Sequence, residues 1–158
     1  MPKQSTPAIF LVADNIRSLY NVGAMFRTCD AFGVAKLYLT GITGTPPRAE
    51  ISKTALGAET SVPWEYHRQA GRLLTRLRHD GIRIVALERV RGSTKTPEYR
   101  PTFPLALIVG NEVEGIPRTL LQAADDIVSI PMSGKKESLN VAVAAGVALY
   151  ALRFGSRK

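Results

Sequence analysis

Three polar clusters hold the side chains able to do chemistry: Asp14 to Gly23, Gly110 to Gly115, and Pro131 to Asn140. Arg27 lies one helical turn after Gly23, whose missing side chain leaves a gap through which a ligand can approach the guanidinium. The same spacing fits a weak surface pair between Arg27 and Asp30, and residue types alone do not separate the two. Glu112 and Glu114 fit a reactive loop, or carboxylates that favour the N-terminus of a following helix. Ser138 fits an N-cap, with Asn140 in the first turn behind it. Other chemistries are excluded. No Walker phosphate loop is present, and Gly110-Asn-Glu-Val-Glu-Gly115 lacks the middle glycine of a dinucleotide-binding turn. His67 and His79 have no Cys or paired His at ligand spacing, so no metal site is expected. Cys29 shares helical spacing with Met25, Phe26 and Phe32, which reads as a core thiol.

The elements that must position these clusters alternate. Strands are expected at residues 8–13, 36–40, 82–87, 105–109 and 127–130. Helices are expected at 22–32, 51–58, 68–78, 117–123 and 138–154, with Asn21 as N-cap of the first. Such alternation implies an α/β fold with a mainly parallel sheet covered by helices on both faces. Ligands bind such sheets beyond the carboxyl ends of the strands, where all three clusters fall. The last helix, Val141 to Leu152, is small and apolar nearly all round. Either the chain buries it completely, or a second subunit packs on it.

Charge narrows the partner. Lys plus Arg number 21 against 13 Asp plus Glu, a net +8. Residues 68 to 100 hold nine basic and three acidic side chains, and so supply +6 of that excess. Arg68, Arg72 and Arg76 recur every four residues and form one helical stripe, which fits a solvated face or a polyanion contact. The balance favours nucleic acid. With 158 residues and 45% hydrophobic side chains, one domain over 1–158 is expected. Composition excludes a disulfide scaffold and a low-complexity chain. The apolar run near Met1 is too short for a secretory signal, so a cytoplasmic location and no membrane span are expected.

Residue types and spacing lead as far as a basic α/β protein with a polar edge site. Three segments carry a resemblance beyond that: Asn15-Ile-Arg-Ser-Leu-Tyr-Asn21-Val-Gly23-Ala-Met-Phe-Arg27-Thr28, Ile108-Val-Gly110-Asn-Glu112-Val-Glu-Gly115-Ile116, and Ile130-Pro131-Met132-Ser-Gly134-Lys-Lys-Glu-Ser138-Leu139-Asn140-Val141. In order and separation they closely resemble the three motifs of the SpoU (TrmH) branch of SPOUT RNA methyltransferases. The resemblance implies a C-terminal deep trefoil knot, S-adenosylmethionine as cofactor, a homodimer through the C-terminal helix, and methyl transfer to a ribose 2′-hydroxyl of tRNA or rRNA. Carried over residue by residue, Arg27, Asn21, Glu112, Ser138 and Asn140 form the catalytic set. Leu87, Gly110, Ile130, Ser138 and Leu139 hold the cofactor, with Asn21 supporting Arg27 and Glu112 fixing the knot loop. Arg17, Arg48, Arg89, Arg91, Lys135 and Lys136 are the candidate RNA contacts. Arg27 either gives up its proton beside the cationic cofactor or positions a phosphate or the forming alkoxide. The second role needs less of a guanidinium. Two alternatives accompany this reading: a catalytically silent RNA-binding protein on the same scaffold, and an enzyme that methylates a base nitrogen.

Overall fold

A computed structural model describes residues 5–155; the first four and last three residues of the expected single domain lie outside the described part. Seven strands form one sheet: β1 (Ile9–Asp14), β2 (Lys36–Thr40), β3 (Trp64–His67), β4 (Arg83–Leu87), β5 (Thr94–Lys95), β6 (Leu105–Val109) and β7 (Asp126–Ser129). Their order is β3-β2-β1-β6-β4-β7-β5, and every pair is parallel. The helices are α1 (Leu19–Ala31), α2 (Ala49–Ala55), α3 (Ala58–Ser61), α4 (Ala70–His79), α5 (Arg118–Ala123) and α6 (Val141–Phe154).

The apolar patterns explain the layers. Leu11 and Ala13 of β1 face one core with Met25 and Phe26 of α1, Ile51 of α2 and Leu149 of α6. Val12 faces the other core, with Leu73, Leu74 and Leu77 of α4 and Leu120 of α5. Helices therefore cover both faces, and β6 is buried along its whole length. Burying the three leucines of α4 contributes about 1.5–3 kcal/mol each, which outweighs repulsion along its arginine stripe.

Local chemistry moves several boundaries. Helix α1 begins three residues earlier than its apolar spacing suggests, because Ser18 is the cap and its hydroxyl accepts from the Asn21 amide at 3.2 Å. Asn21 is thus inside the first turn and does not cap it. The expected 51–58 helix is two: α2 stops at Leu56, whose φ of 51° is left-handed, and α3 starts after Gly57. The cap of α6 is Asn140, which accepts from the amides of Ala142 and Val143, so Ser138 lies in the preceding loop. Strand β7 ends at Ser129, leaving Ile130 in the loop. Strand β3 was hidden by its polar alternation: Glu65 at this outer edge binds Lys36, His67 and Arg76. Strand β5 is two exposed residues, too short for any pattern to mark.

The gap at Gly23 is filled by α2. A side-chain carbon there would collide with the Ile51 carbonyl and the Thr54 side chain, so the glycine permits helix packing and leaves no approach for a ligand. At the far end of α6, Arg153 donates to the carbonyls of Phe32 (3.0 Å), Pro7 (2.6 Å) and Gly33 (3.1 Å), fastening α6 to the end of α1. Helix α6 buries Ala142, Ala145, Ala148, Leu149 and Leu152, while Val143, Val147 and Tyr150 are 53, 41 and 58% exposed. Complete burial within the chain is therefore overturned, and an apolar stripe remains on its outer side.

Two outcomes test this packing. Gly23→Ala should cost about 1–3 kcal/mol of stability by urea unfolding, because α1 and α2 must separate. Hydrogen bonds from Lys36, then His67 and Arg76, hold the Glu65 carboxyl down at about 2. Its folded value lies below the unfolded one, so this contribution is present above about pH 4.5 and lost as pH falls towards 2. Across that window Glu65→Gln should lose less stability than the parent protein in urea titrations.

Candidate functional site

Because all strands run the same way, the loops after all seven emerge on one edge. A cavity of about 450 Å³ opens there, above β4, β6 and β7. Leu87, Val109, Gly110, Ile116, Ile130, Met132, Leu139 and Val141 give it apolar walls, and Ser138 and Glu112 also line it. At Gly110 the backbone turns so tightly that a side-chain carbon would lie 2.6 Å from the Gly115 oxygen and the Ile116 nitrogen. Glycine at 110 is therefore a steric requirement of this wall.

The wall is pinned by hydrogen bonds. Glu88, directly after β4, accepts from the Ile116 amide at 2.9 Å and faces the pocket. Gly115 has φ of 71° and lies so close to the Glu88 carboxylate that a side chain would displace it. Asn111 accepts from the amides of Val113 and Glu114, both at 2.9 Å, and donates to the Asn15 carbonyl at 2.8 Å. Both Glu112 oxygens accept from the Arg17 amide, at 2.8 and 3.1 Å. The loop after β6 is thus tied to the loop that launches α1. Beneath this junction Asp14 is buried, and burial pushes its carboxyl above the usual range although Thr40 donates to it at 2.8 Å.

The expected catalytic residues do not all meet inside one chain. Ser138, Leu139 and Glu112 line the pocket with Leu87, Gly110 and Ile130. Asn140 donates to the Asn21 side chain at 3.2 Å, in a shallower groove between α1 and α6. Asn21 is thus bonded to Asn140. Arg27 is exposed on the flank of α1, and among the described residues it lines neither depression and forms no ion pair with Asp30. Cys29 is fully buried and its thiol is pushed up by that burial, which removes it as a nucleophile.

Of the candidate RNA contacts, Arg17, Arg48, Arg91, Lys135 and Lys136 are exposed on the loops of this edge. Arg89 donates to the Glu137 carbonyl at 3.1 Å and so braces the pocket mouth. Glu88, Asn111 and Asn15 are the contributors that residue patterns missed. Each directly follows a strand end or the key glycine, which is the positional signal that marks them. Among the described residues no group of three His, Cys, Asp or Glu side chains is placed to hold a metal, and no helix is long and apolar enough to cross a membrane.

A family model, the SpoU rRNA Methylase family, matches residues 8–150 and so takes in all three clusters. The chain belongs to the SpoU rRNA methylase family. It is 38% identical over 144 residues to the 23S rRNA (guanosine-2′-O-)-methyltransferase RlmB of Nitrosomonas europaea, which covers 91% of this chain and 55% of that protein. The chain spans about half to three-fifths of the length of the curated SpoU relatives it matches. The crystal structure of the SpoU methyltransferase AviRb from Streptomyces viridochromogenes in complex with AdoMet superposes with a TM-score of 0.85, at 25% identity, over 94% of this chain and 57% of that one. A structure giving insights into the 2-OH methylation of C/U34 on tRNA superposes at 0.82 and 28% identity, over 92% of this chain and 94% of that one.

The Asn140 cap joins pocket to groove and can be tested by itself. Asn140→Ala should cost about 1 kcal/mol, whereas Asn140→Asp keeps the acceptor and should stay near parental stability in chemical denaturation. The alanine variant also loses the bond to Asn21, whereas the aspartate keeps one by accepting from the Asn21 amide once that side chain turns over.

Proposed function

We propose that this protein transfers a methyl group from S-adenosylmethionine to a ribose 2′-hydroxyl of RNA, of the tRNA or rRNA class. The observation that carries the reading is the pocket at the carboxyl edge, walled by segments of the second and third SpoU motifs and tied to the first. Its size suits a small-molecule cofactor. Its chemistry suits one held by backbone and apolar contact: the cradle at Gly110 tolerates no side chain, and Leu87, Ile130 and Leu139 supply apolar surface. When bound, S-adenosylmethionine supplies an electrophilic methyl whose departure leaves a neutral thioether.

The protein's part is alignment and charge. Ser138 and Asn140 order the loop between pocket and groove, and Glu112 and Asn111 hold the opposite wall. Arg27, with its fork of N–H donors, holds a phosphate or the developing alkoxide, and another group accepts the hydroxyl proton. The exposed stripe of α6, with Tyr20 and Phe32 of α1, supports a homodimer that covers the groove and brings Arg27 to the reacting sugar. A trefoil knot is supported by β7 sitting between β4 and β5, which are joined across its carboxyl end by residues 88–93. We read residues 1–158 as one methyltransferase domain. An RNA substrate and a lone buried thiol support a cytoplasmic location.

Labelled cofactor with total RNA, followed by nucleoside mass spectrometry, tests the reaction. A 2′-O-methylated ribose is expected; label on a base alone would replace this reading with base methylation, and no label with a silent RNA binder. Arg27→Ala should lose at least 100-fold in rate with its fold intact by circular dichroism. The pH–rate profile of Arg27→Lys should keep the parental shape. Activity climbing steeply with pH in that variant would make the side chain at 27 the proton acceptor.

A further inference from the structure

The charge around the cavity runs against the charge of the chain. Glu88, Glu112, Glu114 and Glu137 line it, with Arg89 the one cation among them. Four of the chain's 13 acidic side chains thus meet at one cavity of a protein that carries a net +8. None of the four forms an ion pair among the described residues, where every pair uses Glu65, Asp80, Asp125 or Asp126. Glu112, Glu114 and Glu137 are exposed, and both Glu112 oxygens are taken up by the Arg17 amide. Glu88 differs. It is partly buried, and its side chain is fixed from two sides: Oε2 accepts from the Ile116 amide at 2.9 Å, and Gly115 packs against the carboxylate. Oε1 accepts only a long bond from the Arg89 amide, at 3.3 Å, which leaves it acceptor capacity. Bracing an amide needs an oxygen, which a neutral glutamine supplies equally well. A full negative charge held beside apolar walls without a cation is costly, and a cationic occupant offsets that cost.

We infer that Glu88 is a charge-selective residue of the cofactor pocket, whose carboxylate favours the sulfonium S-adenosylmethionine over its thioether product, S-adenosylhomocysteine. The inference rests on the methyl-transfer reading above and adds to it the means by which spent cofactor is released. Loss of the methyl leaves the cofactor with one positive charge fewer, so an attraction present before the reaction is absent after it. At a partly buried site, unit charges a few ångströms apart interact strongly enough to shift an equilibrium about tenfold. The three exposed carboxylates are screened by water and salt and add little. Exposed cations of the rim, Arg17, Arg91, Lys135 and Lys136 among them, have the opposite sign. Phosphates of RNA are therefore held outside the cavity that a cation enters.

Calorimetric affinities of three probes test this without turnover: S-adenosylmethionine, S-adenosylhomocysteine, and sinefungin, which carries a protonated amine in place of the methylsulfonium. Glu88→Gln keeps an oxygen for the Ile116 amide and should melt near the parent temperature by circular dichroism. It should bind both cationic probes about tenfold more weakly, and S-adenosylhomocysteine within about twofold of the parent. Glu114→Gln removes the same charge from an exposed position on the same cavity, and should leave all three affinities within about twofold. In the parent alone, added salt should weaken sinefungin more than S-adenosylhomocysteine. An equal loss for all three probes in Glu88→Gln would make the carboxylate a hydrogen-bond partner of groups they share, and no loss would leave it a brace of the wall. Either result, or equal salt responses in the parent, would overturn the charge selection while RNA methylation by the parent stands. A parent protein that binds none of the probes would remove the methyl-transfer reading as well.

Discussion

Parallel pairing is the constraint from which the site follows. Each strand must return across the sheet before the next can start, so every strand leaves a loop at the carboxyl edge and a crossover on a face. Seven loops therefore crowd one rim, and segments almost a hundred residues apart can bond directly. Arg17 with Glu112 and Asn15 with Asn111 are such bonds. The cavity is the space these loops leave, and its tightest wall exists because Gly110 lets two backbone segments meet.

Much of this was legible before any coordinates. The apolar runs gave five of the strands, because β1, β2, β4, β6 and β7 are buried enough to need Val, Ile and Leu. The three clusters also fell on the correct edge, since that follows from parallel topology alone. What escaped was governed by partners distant in the chain. Glu65 looks like a surface residue until Lys36, His67 and Arg76 close on it, and β3 was missed with it. Gly23 looked like an opening because nothing nearby in sequence fills it; Thr54 and Ile51 do. The caps were misplaced for a similar reason. Ser18 and Asn140 win those positions by the amides they reach, a competition that residue type leaves undecided among several good candidates.

Charge is sorted along the strand direction. Toward the amino ends, Arg83 binds Asp126 at 2.7 Å, Lys36 binds Glu65 and Arg78 binds Asp125. At the carboxyl ends, Arg17, Arg48, Arg68, Arg72, Arg91, Lys135 and Lys136 are exposed without carboxylate partners among the described residues. These exposed cations act as a directed field, which orients a polyanion before contact and weakens as salt rises.

The two fastenings of α6 set how the molecule can move. Asn140 grips its first amides and Arg153 locks its last turn to three carbonyls, so the helix behaves as a strut clamped at both ends. Sliding along its axis would break both clamps together. The span from Pro131 to Leu139 runs into this fixed post at Asn140, and its one side-chain tie among the described residues is the bond from Arg89 to the Glu137 carbonyl across the pocket mouth.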